Sequence, residues 1–110
     1  MISKELFEKV LNDRFDGVYY FKDNLIWYEQ DGREYFLNIY ELSHMCKKWV
    51  IKNSGWTLQS YTNERDAGIC RVKVGDGQEI NKLIAESEVE SVFKSTEWVY
   101  TELKNKGKIK

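Results

Sequence analysis

The chain has 110 residues, enough for one domain that buries its own core and too few for two ordinary ones. With 42% hydrophobic, 15% aromatic and 32% charged residues it belongs among folded globular chains rather than disordered ones. Seventeen basic side chains nearly cancel eighteen acidic ones, so no global field draws DNA, RNA or an anionic membrane, and any nucleic-acid site must be local. A single domain over residues 1–110 is expected, ending in a frayed Lys-rich tail.

The N-terminal stretch MISKELFEKVLNDRF mixes charge with apolar residues and reads neither as a signal peptide nor as a membrane span, which points to a cytoplasmic protein. Ser3 precedes an apolar stripe of Leu6, Phe7, Val10 and Leu11 at helical spacing, predicting a short capped helix over residues 3–12. Three runs rich in aromatic and β-branched residues follow, GVYYFK, LIWYEQ and EYFLNI, separated by DN and DGR at hairpin spacing. They predict an antiparallel meander in which Val18 and Tyr20 face one side while Tyr19 and Phe21 face the other. Leu25 and Trp27 alternate with Ile26 and Tyr28 in the same way, so both faces are apolar and both call for cover.

Asn38 with Glu41 three residues later opens a second helix over residues 39–53, which Gly55 stops. WTLQSYT and GICRVKVG then form a hairpin across NERDA, and residues 80–86, INKLIAE, read either as a further strand or as the lead into a helix. Ser87 and Glu90 make another capping box, opening a long helix with Val89, Val92, Phe93, Val99, Tyr100 and Leu103 on one face. The fold class expected is α+β: a mainly antiparallel sheet of five or six strands with three helices in the order α-βββ-α-ββ(β)-α, the helices covering both faces.

This succession, with the IYELSHMCKKWVIKNSGW helix ending in glycine and the final ESEVESVFKSTEWVYTEL helix, resembles small phage-encoded proteins of the α-β-α sandwich type over residues 2–104. The resemblance implies a phage or prophage accessory protein working in the cytoplasm of a bacterial host. It implies no catalytic residues.

The candidate chemistry is sparse. His44, the chain's single histidine, sits two residues before Cys46, and on a helix such residues project roughly 200° apart and cannot share a metal or a substrate atom. Cys46 falls on the face of Ile39, Leu42, Trp49 and Val50, as a small buried hydrophobe. There is no GxGxxG, GxxxxGK[ST], GxSxG or CxxC, and no histidine cluster, so no cofactor, metal or catalytic group is expected. Two surfaces stand out as candidates for binding. One combines Tyr40, His44, Lys47, Lys48 and Lys52 on the middle helix with Tyr61, Arg65, Arg71 and Lys73 on the hairpin, cations interleaved with aromatics that could follow a nucleic-acid backbone. The other is Trp98, which either packs on the first helix or anchors an interface, including a homodimer.

The function expected from these features is non-enzymatic binding of a host macromolecule, a host protein being the candidate partner, with inhibition of a defence system in the anti-CRISPR manner as its setting. Nucleic-acid or nucleotide binding through the Lys/Arg surface is the alternative, and a small enzyme using His44 ranks below it.

Overall fold

The structure, a computed structural model, describes residues 2–12 and 16–109, with residues 16–18 described by their backbone alone. Helix α1 spans Lys4–Leu11 and is followed by strands β1 (Asp16–Lys22), β2 (Leu25–Gln30) and β3 (Arg33–Asn38). Helix α2 (Ile39–Ser54) leads to β4 (Thr57–Thr62), β5 (Gly68–Lys73) and β6 (Glu79–Ala85), and α3 (Glu88–Asn105) closes the chain. Class, element order and antiparallel pairing are those expected, and residues 80–85, whose sequence is compatible with strand or helix, belong to a strand.

Each helix begins at a residue whose side chain takes up an orphan backbone N–H. The Ser3 hydroxyl accepts from Leu6 N at 3.3 Å, the Asn38 side chain from Tyr40 N at 2.8 Å and the Ser87 hydroxyl from Glu90 N at 3.1 Å. Gly55, at φ +74°, ends α2 and donates its N–H to Ile51 O at 2.9 Å. The two meander turns also have a local cause: Asp23 and Asn24, then Asp31 and Gly32, all take positive φ, the conformation that matches the twist of a two-residue hairpin.

The six strands form two three-stranded sheets, β1-β2-β3 and β4-β5-β6, rather than one. Helix α2 runs between β3 and β4, which do not pair, so the chain starts a second meander instead of extending the first. Cover on both faces is likewise not what forms. Helices α2 and α3 pack on the face of β4–β6 that carries Leu58, Cys70 and Val72, and α1 packs on the face of β1–β3 that carries Tyr19 and Tyr28. Three helices suffice for one face of each sheet, and the molecule, 45 × 37 × 17 Å, is thin enough for two layers about 10 Å apart.

The core between the layers joins Ile2, Leu6 and Phe7 to Ile26, to Leu42, Cys46 and Val50 of α2, and to Val92, Phe93, Val99 and Leu103 of α3. Helix α1 is further tied to α3 by polar contacts. Ser3 N donates to Glu97 Oε1 at 2.6 Å, Lys104 Nζ lies 3.6 Å from Glu5 Oε1, and the Tyr100 hydroxyl donates to the same carboxylate. That hydrogen bond holds the Glu5 carboxyl below its ordinary range, while burial and then Glu5 itself push the Tyr100 hydroxyl up. At the other edge of the core Gly68 lies against the entry to α3, where a Cβ would stand 1.9 Å from the Ser87 carbonyl oxygen.

Beyond α3 the chain closes in a turn that carries Ile109 back to the core. Gly107 adopts φ +70° and donates to Lys104 O, Lys108 N donates to Leu103 O at 2.9 Å, and Ile109 packs against the core, the paired bonds of a Schellman turn. Met1, residues 13–15 and Lys110, as well as the expected orientation of the Val18 side chain, lie outside what is described.

Candidate functional site

The two halves of the Lys/Arg surface expected from the sequence are not brought together. On α2, whose buried side is Leu42, Cys46 and Val50, residues Tyr40, His44, Lys48 and Lys52 are exposed on the outside of the helical layer, with Lys47 half-buried at its flank. Tyr61, Arg71 and Lys73 alternate with the inward residues of β4 and β5, so they occupy the sheet face turned away from the helices. Arg65 is exposed in the loop between those strands. The sheet therefore stands between the helix cations and the hairpin cations. Arg71 is also engaged within the fold: its Nε and Nη2 donate to the Tyr61 hydroxyl at 3.2 and 3.0 Å, and Nη1 pairs with Glu79. Those two partners hold its guanidinium in the charged form and neutralise it locally.

Trp98 packs against the core cluster. It is half-buried and stacks on Trp56, ring centroids 6.0 Å apart at 27°, with Lys106 Nζ 5.3 Å above the Trp56 ring. A tryptophan stacked in this way has its apolar payload largely satisfied within the chain.

Cys46 and Cys70 are both free and fully buried. Burial pushes the Cys46 thiol up to about 12, a hydrogen bond with Thr96 opposing it only in part, and burial raises Cys70 as well. In the unfolded chain a thiol titrates near pH 8.5. The folded protein thus keeps protons that the unfolded chain releases, and this contribution to stability is intact below about pH 8.5 and declines as pH rises toward 12. Both cysteines should consequently resist a thiol reagent at pH 8 in the folded protein and react promptly in 6 M urea, as followed by release of chromophore from an aromatic disulfide. Rapid reaction of Cys46 without denaturant would contradict this placement.

Among the described residues no group of three or more His, Cys, Asp or Glu side chains is placed to hold a metal ion, and no helix is long and apolar enough to cross a membrane.

The surface that the structure does assemble lies on β1–β3. Tyr20 of β1, Trp27 of β2 and Phe36 of β3 are partners in register and form one row across all three strands. Tyr20 and Trp27 stack at 6.3 Å with planes 7° apart, and Trp27 and Phe36 meet at 5.2 Å and 42°. This row is on the side of the sheet opposite Ile26, Tyr28 and α1, and it is open at its two ends: Phe36 is 62% exposed and Tyr20 49%, while Trp27 between them is half-buried. No family model, curated protein or solved structure matches the chain.

Along the strands the row is flanked unequally. Glu29 and Glu34 are Cα partners two residues beyond Trp27 and Phe36, both exposed, whereas Lys22, Leu25 and Asn38 lie in register on the opposite flank. Carboxylates directly opposite each other repel, and a flat row of exposed rings gains little from folding, so the face is costly to present empty. It can offer a continuous aromatic row, most open at Phe36, with two carboxylates at one end. Alternation in GVYYFK and LIWYEQ shows two apolar faces; the register that puts Tyr20 beside Trp27, and the helices' leaving that face uncovered, come from the structure.

Proposed function

We propose that the protein is a non-enzymatic binding protein that engages another protein through the open face of β1–β3. The observation that carries this reading is the Tyr20–Trp27–Phe36 row, with Tyr20 and Phe36 exposed at its ends. Contiguous aromatic patches of this kind are where protein interfaces concentrate their energy, because large, stiff rings bury much area at low entropic cost. The resemblance to small phage-encoded proteins supplies the setting: a phage or prophage accessory protein in the bacterial cytoplasm that binds a host protein, with a defence system as its target.

Binding of nucleic acid ranks lower for two reasons. The cations that would grip phosphates are divided between opposite faces, with Arg71 already paired, and the aromatic row carries carboxylates on its flank. An enzyme built on His44 finds little support either, since that exposed imidazole has no hydrogen bond to a nucleophile or an orienting group among the described residues.

The test is affinity capture from bacterial lysate with the folded protein as bait. Wild type and Lys48→Glu should recover the same specific protein, whereas a Tyr20→Ser/Phe36→Ser variant should lose it by about thirtyfold or more in affinity, the effect of removing a central aromatic contact worth about 2 kcal/mol. Undiminished recovery by the double variant sinks the reading, and salt-sensitive recovery of nucleic acid that Lys48→Glu abolishes replaces it with the nucleic-acid one.

A further inference from the structure

We propose that the segment seated on this face presents arginine to it: the rings and the Glu29–Glu34 pair together form a recognition site for an arginine-bearing stretch of a partner protein. The inference rests on the functional reading above and adds the chemistry of the occupant.

Size is the first argument. Three strands spaced about 4.8 Å apart and five or six residues rising about 3.4 Å each offer a face of roughly 14 by 20 Å, on the order of 300 Å². A stable complex between two domains buries about 800 Å² on each partner, so this face alone is too small to hold a second copy of the chain and suits one extended or helical segment.

Charge is the second. Among the described side chains that share the face, Glu29 and Glu34 outnumber the single cation Lys22, and they stand at the opposite flank from it. Two residues along a strand is about 7 Å, so a group lying over Trp27 or Phe36 is within reach of both carboxylates. A guanidinium fits that combination better than any other side chain. Its plane stacks on an aromatic face while its N–H fork points outward to a carboxylate, whereas an ammonium makes the cation–π contact without the fork. A phosphate-bearing strand could stack its bases on the same rings but would meet repulsion from the two carboxylates.

Fluorescence anisotropy with labelled probes separates these outcomes. The probes are a nine-residue peptide alternating arginine with leucine, the same peptide with lysine for arginine or glutamate for arginine, and single-stranded oligo-thymidine. The arginine peptide should bind, the lysine peptide at least several-fold more weakly, and the glutamate peptide and the oligonucleotide not measurably. A Glu29→Gln/Glu34→Gln variant should lose tenfold or more in affinity for the arginine peptide, and Phe36→Ser a comparable amount, while the control Glu64→Gln in the β4–β5 loop changes nothing. All these positions are exposed, and circular dichroism checks that each variant folds.

Arginine-peptide affinity that survives the double glutamine change overturns the inference, as does preferential binding of oligo-thymidine or of the lysine peptide. Concentration-dependent dimerisation that Phe36→Ser abolishes would assign the face to a second copy instead. If lysate capture is lost on Tyr20→Ser/Phe36→Ser but untouched by Glu29→Gln/Glu34→Gln, the face binds protein and only the arginine assignment fails. If neither change affects capture, the functional reading itself falls.

Discussion

Gly68→Ala should cost about 3 kcal/mol or more, lowering the melting temperature by roughly 10–20 °C, although it adds a single methyl group. The added Cβ would stand 1.9 Å from Ser87 O, 2.0 Å from Ser87 C and 2.4 Å from Glu88 N, all backbone atoms at the start of α3. A flexible side chain could swing aside, but here either β5 or the entry to α3 must move. Retreat of α3 would open the core around Val89, Val92 and Phe93, which that helix presses toward the strands. Gly75→Ala is the internal control: a Cβ there meets nothing within 4 Å, and the change should stay within about 0.5 kcal/mol in urea titration. Equal stability of the two variants would show that α3 and β5 do not approach as described.

Phe7→Ala should cost about 3–5 kcal/mol, the range for deleting a fully buried ring. Phe7 is completely buried and meets Tyr19 edge-on at 5.3 Å and Tyr28 at 5.4 Å, so it is the central contact between α1 and β1–β3. No strand of the first sheet pairs with the second, and α1 and α2 are what join the first sheet to the rest. Denaturation should show a lower midpoint and, if the first sheet loosens separately, a shallower transition. Phe36→Ala offers the comparison: it removes the same atoms from an exposed ring and forfeits little more than the contact with Trp27, about 1 kcal/mol. Similar losses for Phe7 and Phe36 would mean that the supposedly open face is covered.

Much of the fold is local and therefore legible in the sequence. Ser3, Asn38 and Ser87 announce helix starts, Gly55 a helix end, and DN and DG two tight hairpins, because each acts within four residues of itself. The division into two sheets is not local. Nothing in residues 33–62 says that β3 and β4, separated by α2, will fail to pair, and a single larger sheet satisfies the same alternation. The same non-locality explains the surface. Lysines of α2 and cations of the β4–β5 hairpin look like one patch until the layers are assembled, and then the sheet separates them. Strand β6 was ambiguous for a different reason: Ile80, Leu83 and Ile84 follow neither a clean two-residue nor a clean helical period, and pairing with β5 decides the matter.

Trp98 illustrates how a partner in space changes the reading of a residue. Helical projection alone makes it an outward tryptophan in need of a cover, and Trp56, forty-two residues earlier, provides one. The aromatic row is the converse case. Tyr20, Trp27 and Phe36 resemble ordinary strand residues of a two-sided sheet, and they become a candidate site only because the helical cover of β1–β3, chiefly α1, lies on the opposite face.

The most direct test of the central claim is chemical-shift mapping by nuclear magnetic resonance, with isotope-labelled protein titrated by the protein recovered in the capture experiment. The expected result is that perturbed amides and side chains cluster at Tyr20, Lys22, Trp27, Glu29, Glu34 and Phe36. Perturbations confined to Tyr40, His44 and Lys48, or to Arg65 and Lys73, would contradict it and move the binding site to a surface of α2 or of the β4–β5 hairpin.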